Sequence, residues 1–202
     1  MMMERNCEHS CQYKAECKGL NDRAATRRRK PSVMRCCSSL ASKEFIQKVT
    51  EKGQNILEVG YGKNRGLVKN AHRKGLVWYG IEPSRRWAAN EENHKYAGTA
   101  DNIPFDEQYF DNVTAIQSME HWESYQDSVE DGINEIHRVL KPGGTFFAMM
   151  PMGDHGSQVF MESDVEALKK LFKRKMWKSI RFVRWGPEAC DAWQLAITVV
   201  KR

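Results

Sequence analysis

The sequence predicts an α/β protein in which helices cover both faces of a mostly parallel sheet. Two observations predict this class. From about residue 40 onward, short apolar runs alternate with helical segments, and the linkers between them are short. The apolar runs are continuous rather than alternating, which is typical of parallel strands buried on both faces.

Each element is predicted from its own local pattern. Helical periodicity predicts helices over 42–52, 64–74, 85–95, 125–140 and 163–175. Apolar runs predict strands over 55–59, 76–81, 110–117, 145–150, 179–185 and 195–200. Ser42, Ser84 and Ser163 are expected as helix N-caps, because their side-chain oxygens accept hydrogen bonds from the first helical turn. A Pro-Gly-Gly turn at 142–144 is expected to lead into the strand over 145–150.

The connection between the last two predicted strands defines how the sheet ends. It spans about nine residues, 186–194. A crossover between parallel strands needs about a dozen residues or more. We therefore expect these strands to pair as an antiparallel hairpin.

Charge divides the chain into an N-terminal extension, 1–39, and one globular domain, 40–202. The extension has nine basic against four acidic residues and few large aliphatic ones, so we expect it to be disordered or organised by a metal ion. The domain has 23 basic against 22 acidic residues, which does not support a basic groove for nucleic acid.

Targeting signals are absent from the sequence pattern. No run of about 18 apolar residues occurs, so we expect no membrane-spanning helix and no membrane partner. The charged N-terminus lacks the apolar stretch of a secretory signal. We therefore expect a cytoplasmic protein.

Five of the six cysteines stand in the extension. In a cytoplasmic protein such a cluster favours metal binding or reduced thiols over disulfides. Zinc is the candidate metal, since four thiolates would complete its tetrahedral coordination. The spacing matches no common zinc-finger pattern, and reduced thiols in a mobile extension are the alternative. The candidate ligands are Cys7, Cys11, Cys17, Cys36 and Cys37.

A glycine-rich loop follows the first predicted strand and opens a helix. Gly60 and Gly62 let the backbone turn sharply and let a ligand approach it closely. Glu82 ends the next strand, where a carboxylate can accept hydrogen bonds from both hydroxyls of a ribose. These features predict a nucleotide-like ligand, without separating one such ligand from another.

Glu58, two residues before the loop, narrows the choice of ligand. A dinucleotide has no need of a negative charge at this place, whereas the methionyl tail of S-adenosylmethionine (SAM) has a cationic ammonium. The sequence therefore favours SAM. The alternative is that Glu58 only caps the following loop.

Four segments carry a family resemblance, in order and spacing: 56–62, 79–84, 98–105 with 109–113, and 135–144. They resemble the class I SAM-dependent methyltransferases, especially the small-molecule branch with a ubiquinone/menaquinone-methyltransferase-like domain. The resemblance implies a Rossmann-like, doubly wound sheet of seven strands in the order 3-2-1-4-5-7-6, with an antiparallel C-terminal strand. It also implies methyl transfer from SAM to an acceptor that the sequence does not identify.

The resemblance further implies a set of cofactor-binding residues. Asn64 stands where the family usually has a third glycine, and Thr99 stands where an acid often contacts the adenine amino group. Asp101 or backbone groups near Ala100 are expected to replace that acid. The implied residues are Glu58, Gly60, Tyr61, Gly62, Asn64, Glu82, Pro83, Ala100, Asp101, Asn102 and Gln117.

Methyl transfer asks little of catalytic side chains, because the sulfonium methyl is already electrophilic and the protein mainly aligns the reactants. His121, in the loop after the fourth predicted strand, is a candidate for a site residue, and His155 is a candidate general base. The alternatives are that His121 orders its loop and that His155 is solvated. We expect a small-molecule acceptor, with a protein acceptor as an alternative.

Two other functions remain open from the sequence. The altered glycine loop is compatible with a catalytically inactive SAM-binding protein that acts as a partner or regulator. The loop together with Glu82, taken alone, is compatible with an NAD(P)-dependent oxidoreductase.

Overall fold

The computed structural model describes residues 3–5, 34–62, 66–84, 93–125, 128–152, 164–185 and 194–202. These ranges form one mixed sheet of eight strands: β1 Met3–Arg5, β2 Asn55–Val59, β3 Val77–Glu82, β4 Lys95–Ala97, β5 Phe110–Ile116, β6 Leu140–Pro151, β7 Trp177–Trp185 and β8 Gln194–Lys201. The α-helices are α1 Met34–Val49, α2 Gly66–Lys74, α3 Val129–Val139 and α4 Asp164–Leu171, and a 3-10 helix spans Met119–Tyr125.

The strand order across the sheet is β1-β7-β8-β6-β5-β2-β3-β4. All neighbours pair in parallel except β8, which is antiparallel to both β6 and β7. Without β1, this is the predicted seven-stranded order 3-2-1-4-5-7-6. The α/β, Rossmann-like fold and the closing antiparallel hairpin are therefore confirmed.

Strand β1 is an addition that the sequence pattern does not predict. Met3–Arg5 pairs in parallel with Val183–Trp185 at the edge of the sheet. Three residues are too few to show a strand period, and the pairing depends on an edge that forms more than 170 residues later in the chain. Residues 34–39 of the predicted extension are helical and belong to α1, whereas residues 1–2 and 6–33 lie outside the described ranges, so the expectation of a disordered or metal-organised extension is not tested there.

Several predicted helix boundaries are wrong. Helix α1 begins at Met34 rather than at residue 42, so Ser42 is a buried residue inside the helix and not its N-cap. Helix α3 begins at Val129, where Ser128 Oγ accepts a hydrogen bond from the backbone nitrogen of Asp131 at 2.9 Å. The predicted start at 125 failed because the 3-10 helix ends there. Helix α4 ends at Leu171.

Two predicted boundaries near strands also differ. Lys95 begins β4 rather than ending a helix. Most of that predicted helix, 85–92, lies outside the described residues. The predicted turn at 142–144 lies inside β6, which begins at Leu140. Gly143 adopts a φ of +77°, and the pairing of β6 with β5 shifts register between Phe110 and Asn112, so the strand absorbs the turn as an irregularity.

Two apolar clusters cover the two faces of the sheet. Helices α1 and α2 bury one face, where the rings of Phe45 and Phe147 stack with centroids 4.8 Å apart. Helices α3 and α4 bury the other face through residues such as Ile133 and Val165. The carboxyl ends of β2, β3 and β5 meet at one edge of this layered core, where the candidate site lies.

Candidate functional site

A cavity of about 170 Å³ opens at the carboxyl ends of β2, β3 and β5. The chain runs outward from β2 to β3 and β4 and then returns to β5 on the other side of β2, so the cavity lies at a topological switch point. Its lining comes from the loops and the 3-10 helix that follow these strands: Val59, Gly60, Gly62, Glu82, Pro83, Gly98, Ala100, Gln117, Ser118, His121, Trp122 and Tyr125.

The glycine turn after β2 closes directly onto the loop after β5. Gly60 has a φ of +72°, and a Cβ atom there would lie 2.6 Å from the Cβ of Ser118. Ser118 Oγ donates a hydrogen bond to the carbonyl of Val59 at 2.7 Å. Only glycine accommodates both the backbone conformation and this approach. The turn thereby forms one wall of the cavity with bare backbone.

Glu82 presents a buried carboxylate to the cavity, only 7% exposed. Its Oε2 accepts a hydrogen bond from the backbone nitrogen of Gly62 at 2.9 Å, and its Oε1 accepts one from the nitrogen of Ser84 at 3.2 Å. These bonds fix the carboxylate between the glycine turn and the end of β3. A fixed carboxylate here is suited to accept hydrogen bonds from ribose hydroxyls.

Gln117 forms the opposite wall and has the left-handed backbone conformation, with a φ of +53°. Its backbone nitrogen donates to the carbonyl of Met149 at 2.7 Å. Its side-chain Nε2 donates to the same carbonyl at 3.4 Å and to Oε1 of Gln194, the first residue of β8, at 2.8 Å. A non-glycine residue in this conformation is uncommon and often lies at a functional site.

Glu58 lies beneath the glycine turn and does not line the cavity. Its Oε2 accepts a hydrogen bond from the indole Nε1 of Trp78 at 3.0 Å. Burial raises the pKa of Glu58 to about 8, against a smaller lowering by the Trp78 hydrogen bond. Its predicted contact with a ligand ammonium stays a prediction.

The side chain of Tyr61 packs edge-on against Trp78, with ring centroids 5.7 Å apart, and belongs to the apolar core. The ring does not line the cavity, so any contact of Tyr61 with a ligand there would come from its backbone.

On the side where the resemblance places adenine, Gly98 and Ala100 line the cavity, together with Pro83. Asp101 does not line the cavity. Its Oδ1 accepts a hydrogen bond from Thr99 Oγ1 at 2.6 Å. Asn102 likewise does not line the cavity, and its backbone nitrogen bonds to the carbonyl of Thr99 at 3.3 Å.

The 3-10 helix after β5 contributes both buried and lining residues. His121 lines the cavity, and its backbone nitrogen donates to the carbonyl of Ser118 at 2.9 Å. Glu120 is fully buried, and burial raises the pKa of its carboxyl to about 7. Trp122 also lines the cavity, and its indole nitrogen has no hydrogen-bond partner among the described residues.

Sequence reasoning missed five lining residues and the partner of Gln117. Tyr125 stood at the start of the predicted helix and Trp122 in the loop before it, although two aromatic residues after a strand end are a usable signal. Gln194 had no local signal, because its contact depends on the pairing of β8 with β6. The missed lining residues are Val59, Gly98, Ser118, Trp122 and Tyr125.

Some predicted site residues cannot be placed. Asn64, His155, Cys7, Cys11 and Cys17 lie outside the described residues. Cys36 and Cys37 lie within α1. In the described part of the chain, no group of three His, Cys, Asp or Glu side chains is arranged to hold a metal ion. Zinc binding by the extension therefore stays a prediction.

In the same ranges, no helix is long and apolar enough to cross a membrane.

The strand order, the glycine turn after β2 and the carboxylate at the end of β3 define the class I SAM-dependent methyltransferase fold. Residues 57–148 match the family model described as a methyltransferase domain. This match and the fold agree with the resemblance to the class I SAM-dependent methyltransferases that the sequence predicts.

Two curated relatives are similar to parts of the chain. The O-methyltransferase resE of Aspergillus sclerotiorum is 30% identical over 103 residues, 45% of this chain and 37% of the relative. The demethylmenaquinone methyltransferase of Chlorobaculum parvum is 31% identical over 119 residues, 55% of this chain and 47% of the relative. The matched region thus covers less than half of the length of either relative.

Among solved structures, the chain is similar to phosphoethanolamine N-methyltransferase 2 of Haemonchus contortus in complex with SAM. The TM-score is 0.63 and the sequence identity is 18%, over 81% of this chain and 52% of that chain. At this level of identity the similarity establishes the shared fold.

Proposed function

We propose that the chain is an enzyme that binds SAM in the cavity at the switch point and transfers its methyl group to a small-molecule acceptor. The observation that carries the proposal is the pairing of Glu82 with the glycine turn on one wall of the cavity and Gln117 on the other. A fixed carboxylate, a wall of bare backbone and a polar side chain match the ribose and the methionyl tail of SAM.

The residues present fit this cofactor along the length of the cavity. Glu82 would hold the ribose hydroxyls, and the backbone of Gly60 would pass beside the methionyl part, since a Cβ there would meet Ser118. Gly98 and Ala100 would flank the adenine. When bound, SAM supplies an electrophilic methyl group, and the protein has to align the acceptor with it and exclude water.

A proton acceptor is needed only if the methyl acceptor loses a proton. His121 lines the cavity and is the described residue best placed for that role. His155 remains a second candidate from the sequence alone. Replacing His121 with Gln would lower the transfer rate without changing SAM affinity if His121 acts on the acceptor.

Several observations favour a small-molecule acceptor. The lining of the cavity is mainly apolar, and Trp122 and Tyr125 contribute aromatic side chains to it. The curated relatives are named as an O-methyltransferase and a demethylmenaquinone methyltransferase. We therefore propose hydroxylated aromatic compounds and quinols as the first acceptors to assay, with methyl-labelled SAM and mass spectrometry of the products.

Measurements of ligand binding and of methyl transfer distinguish the proposed enzyme from an inactive SAM-binding protein and from an oxidoreductase. Calorimetry with SAM, S-adenosylhomocysteine and NADH should show binding of the first two and not of NADH. Glu82→Ala should weaken SAM binding by about ten- to hundredfold, because a carboxylate that accepts two hydrogen bonds is removed. Glu130→Ala, which removes an exposed carboxylate on α3, is the matched control and should bind SAM normally.

Each alternative predicts a different result. Binding of NADH in place of SAM would replace this proposal with an oxidoreductase. SAM binding without transfer to any acceptor would support the inactive partner or regulator. Methyl transfer that is lost in Glu82→Ala would exclude both.

A further inference from the structure

Gln194 is a fully buried polar residue at the edge of the cofactor cavity. It begins β8, beside Pro151 of β6 and Trp185 of β7. Its Oε1 accepts the hydrogen bond from Gln117, whereas its own Nε2 has no partner among the described residues. A buried donor without a partner destabilises a fold, so an apolar residue of the same shape would suit packing better.

The hydrogen bonds around Gln117 determine which way its amide points. The carbonyl of Met149 can only accept, so the side-chain atom of Gln117 that faces it is the NH₂ group. The same NH₂ group faces Gln194, which must therefore present its own carbonyl oxygen. Both amide hydrogens of Gln117 are thus directed into the sheet.

The carbonyl oxygen of Gln117 is then the part of the amide left for a ligand. Gln117 lines the cavity, and no described residue donates a hydrogen bond to its Oε1. A carbonyl oxygen in this place suits a cation and does not suit a carboxylate. In the cofactor proposed above, the only ammonium is on the methionyl tail.

We propose that Gln194 is a positioning residue that orients the Gln117 amide, so that its carbonyl oxygen accepts a hydrogen bond from the methionyl ammonium of the cofactor. This inference rests on the proposed function, since it requires SAM or S-adenosylhomocysteine in the cavity. Without the acceptor oxygen of Gln194, the amide of Gln117 is held only by the longer bond to Met149 and can turn its NH₂ group toward the cation.

Two ligands, one with the methionyl ammonium and one without it, distinguish a lost orientation of the Gln117 amide from a general structural defect. S-adenosylhomocysteine has the methionyl ammonium, and 5′-methylthioadenosine lacks the whole amino acid part. Gln194→Met, which keeps the length of the side chain and removes the acceptor, should weaken S-adenosylhomocysteine binding about tenfold, or about 1.4 kcal/mol. Binding of 5′-methylthioadenosine should change less than about twofold, because a structural defect alone would weaken both ligands.

Conservative and control variants complete the test. Gln194→Glu retains an acceptor oxygen for Gln117 and should bind S-adenosylhomocysteine within about threefold of the unmodified protein. Gln54→Met is the matched control, because Gln54 Oε1 also accepts from a side-chain amide, that of Asn112, at 2.8 Å and away from the cavity. It should leave binding of both ligands unchanged.

A double variant tests whether Gln194 acts through Gln117. Gln117→Met should by itself weaken S-adenosylhomocysteine and not 5′-methylthioadenosine, which keeps the proposal testable if Gln194→Met does not fold. The combined variant should bind S-adenosylhomocysteine no more weakly than Gln117→Met alone.

The inference is overturned by unchanged S-adenosylhomocysteine binding in both Gln194→Met and Gln117→Met, by equal weakening of the two ligands, or by losses that multiply in the double variant. If the unmodified protein binds neither SAM nor S-adenosylhomocysteine, the proposed function fails and this inference fails with it. If the unmodified protein binds S-adenosylhomocysteine but the variants do not distinguish it from 5′-methylthioadenosine, this inference fails and the proposed function stands.

Discussion

Glu58 is an ionisable residue buried in the apolar layer beneath the glycine turn, where little water can reach its carboxyl group. Strand pairing sets Glu58 beside Gly80, and a Cβ on Gly80 would lie 2.5 Å from the ring of Trp78. The missing side chain of Gly80 makes room for the indole that donates to Glu58. The uncharged form of Glu58 is favoured there because burial penalises the charged one.

We predict that Glu58→Gln flattens the pH dependence of stability. The pKa of Glu58 is raised from 4.5 to about 8 on folding, so the folded state holds this proton more tightly than the unfolded chain does. Its contribution to stability is complete below about pH 4.5 and is lost as the pH rises through about 8. The neutral Gln should make the protein more stable than the unmodified one at about pH 9, by at least about 1 kcal/mol.

Urea unfolding at about pH 5.5 and about pH 9 measures this difference. Glu120→Gln provides an internal comparison, because burial raises the pKa of Glu120 only to about 7 and its contribution should be lost at lower pH. Equal pH dependence of the unmodified protein and Glu58→Gln would show that Glu58 is ionised in the folded state at neutral pH.

At the scale of elements, helix α3 holds the segment that follows Gly98 and Ala100, two residues that line the cavity. The guanidinium of Arg138 donates to the carbonyls of Ile103 at 2.9 Å and Phe105 at 2.8 Å. Glu135 accepts from the backbone nitrogen of Ile103 at 3.2 Å and pairs with Arg138 at 2.8 Å. Arg138 hydrogen bonding lowers the pKa of Glu135, so both groups are charged at neutral pH.

Arg138→Ala is expected to destabilise the protein by about 1–3 kcal/mol, because two backbone carbonyls lose their donor; the lower part of this range applies if water replaces it at this partly exposed site. Amide hydrogen exchange should accelerate at residues 103–105 in particular. Arg138→Lys should not restore protection, since one ammonium lacks the forked geometry that reaches both carbonyls and Glu135. Unchanged exchange in this segment would mean that α3 does not hold it.

The element scale also shows where prediction from sequence ends. Short apolar runs lie within β2, β3, β5, β6, β7 and β8, and their local pattern was sufficient to predict these strands. β4 has three residues, two of them half-buried and one exposed, and no period to detect. The 3-10 helix buries Met119, Glu120 and Trp122 in one turn, whereas the sequence pattern predicts only a loop at these three residues.

Prediction of the site was limited for the same reason. Glycine turns and a strand-ending carboxylate are local features, so Gly60, Gly62 and Glu82 could be placed in the site from the sequence. The side-chain partners of Glu58 and Gln117 are separated from them by 20 and 77 residues, and strand register decides them. Register is a property of the assembled sheet and has no signature in either segment alone.

At the scale of the whole molecule, β1 covers the outer edge of β7. An uncovered edge strand exposes backbone groups that can pair with another chain. A variant lacking residues 1–5 should therefore exchange the amide hydrogens of β7 faster and should self-associate as its concentration rises. SAM binding should be unaffected, because the cavity lies four strands away at β5 and β2.

Hydrogen exchange and size-exclusion chromatography over a range of concentrations measure both effects. Replacing Met3 with Leu keeps the strand and should reproduce the unmodified protein. Unaltered exchange along β7 in the shortened variant would indicate that β1 does not protect this edge.

The position of β8 between β6 and β7 has a consequence for how the protein matures on the ribosome. β7 is synthesised before β8, and among the described strands its neighbours in the sheet are β1 and β8, so β7 joins the strands β6 to β2 only once β8 has been made. Gln194, which orients Gln117, arrives with the same strand. A nascent chain halted before β8 would have the glycine turn and Glu82 in place while the methionyl side of the pocket remained unfinished. Cofactor capture is thus tied to the last step of sheet assembly, and a truncated product would lack a complete pocket.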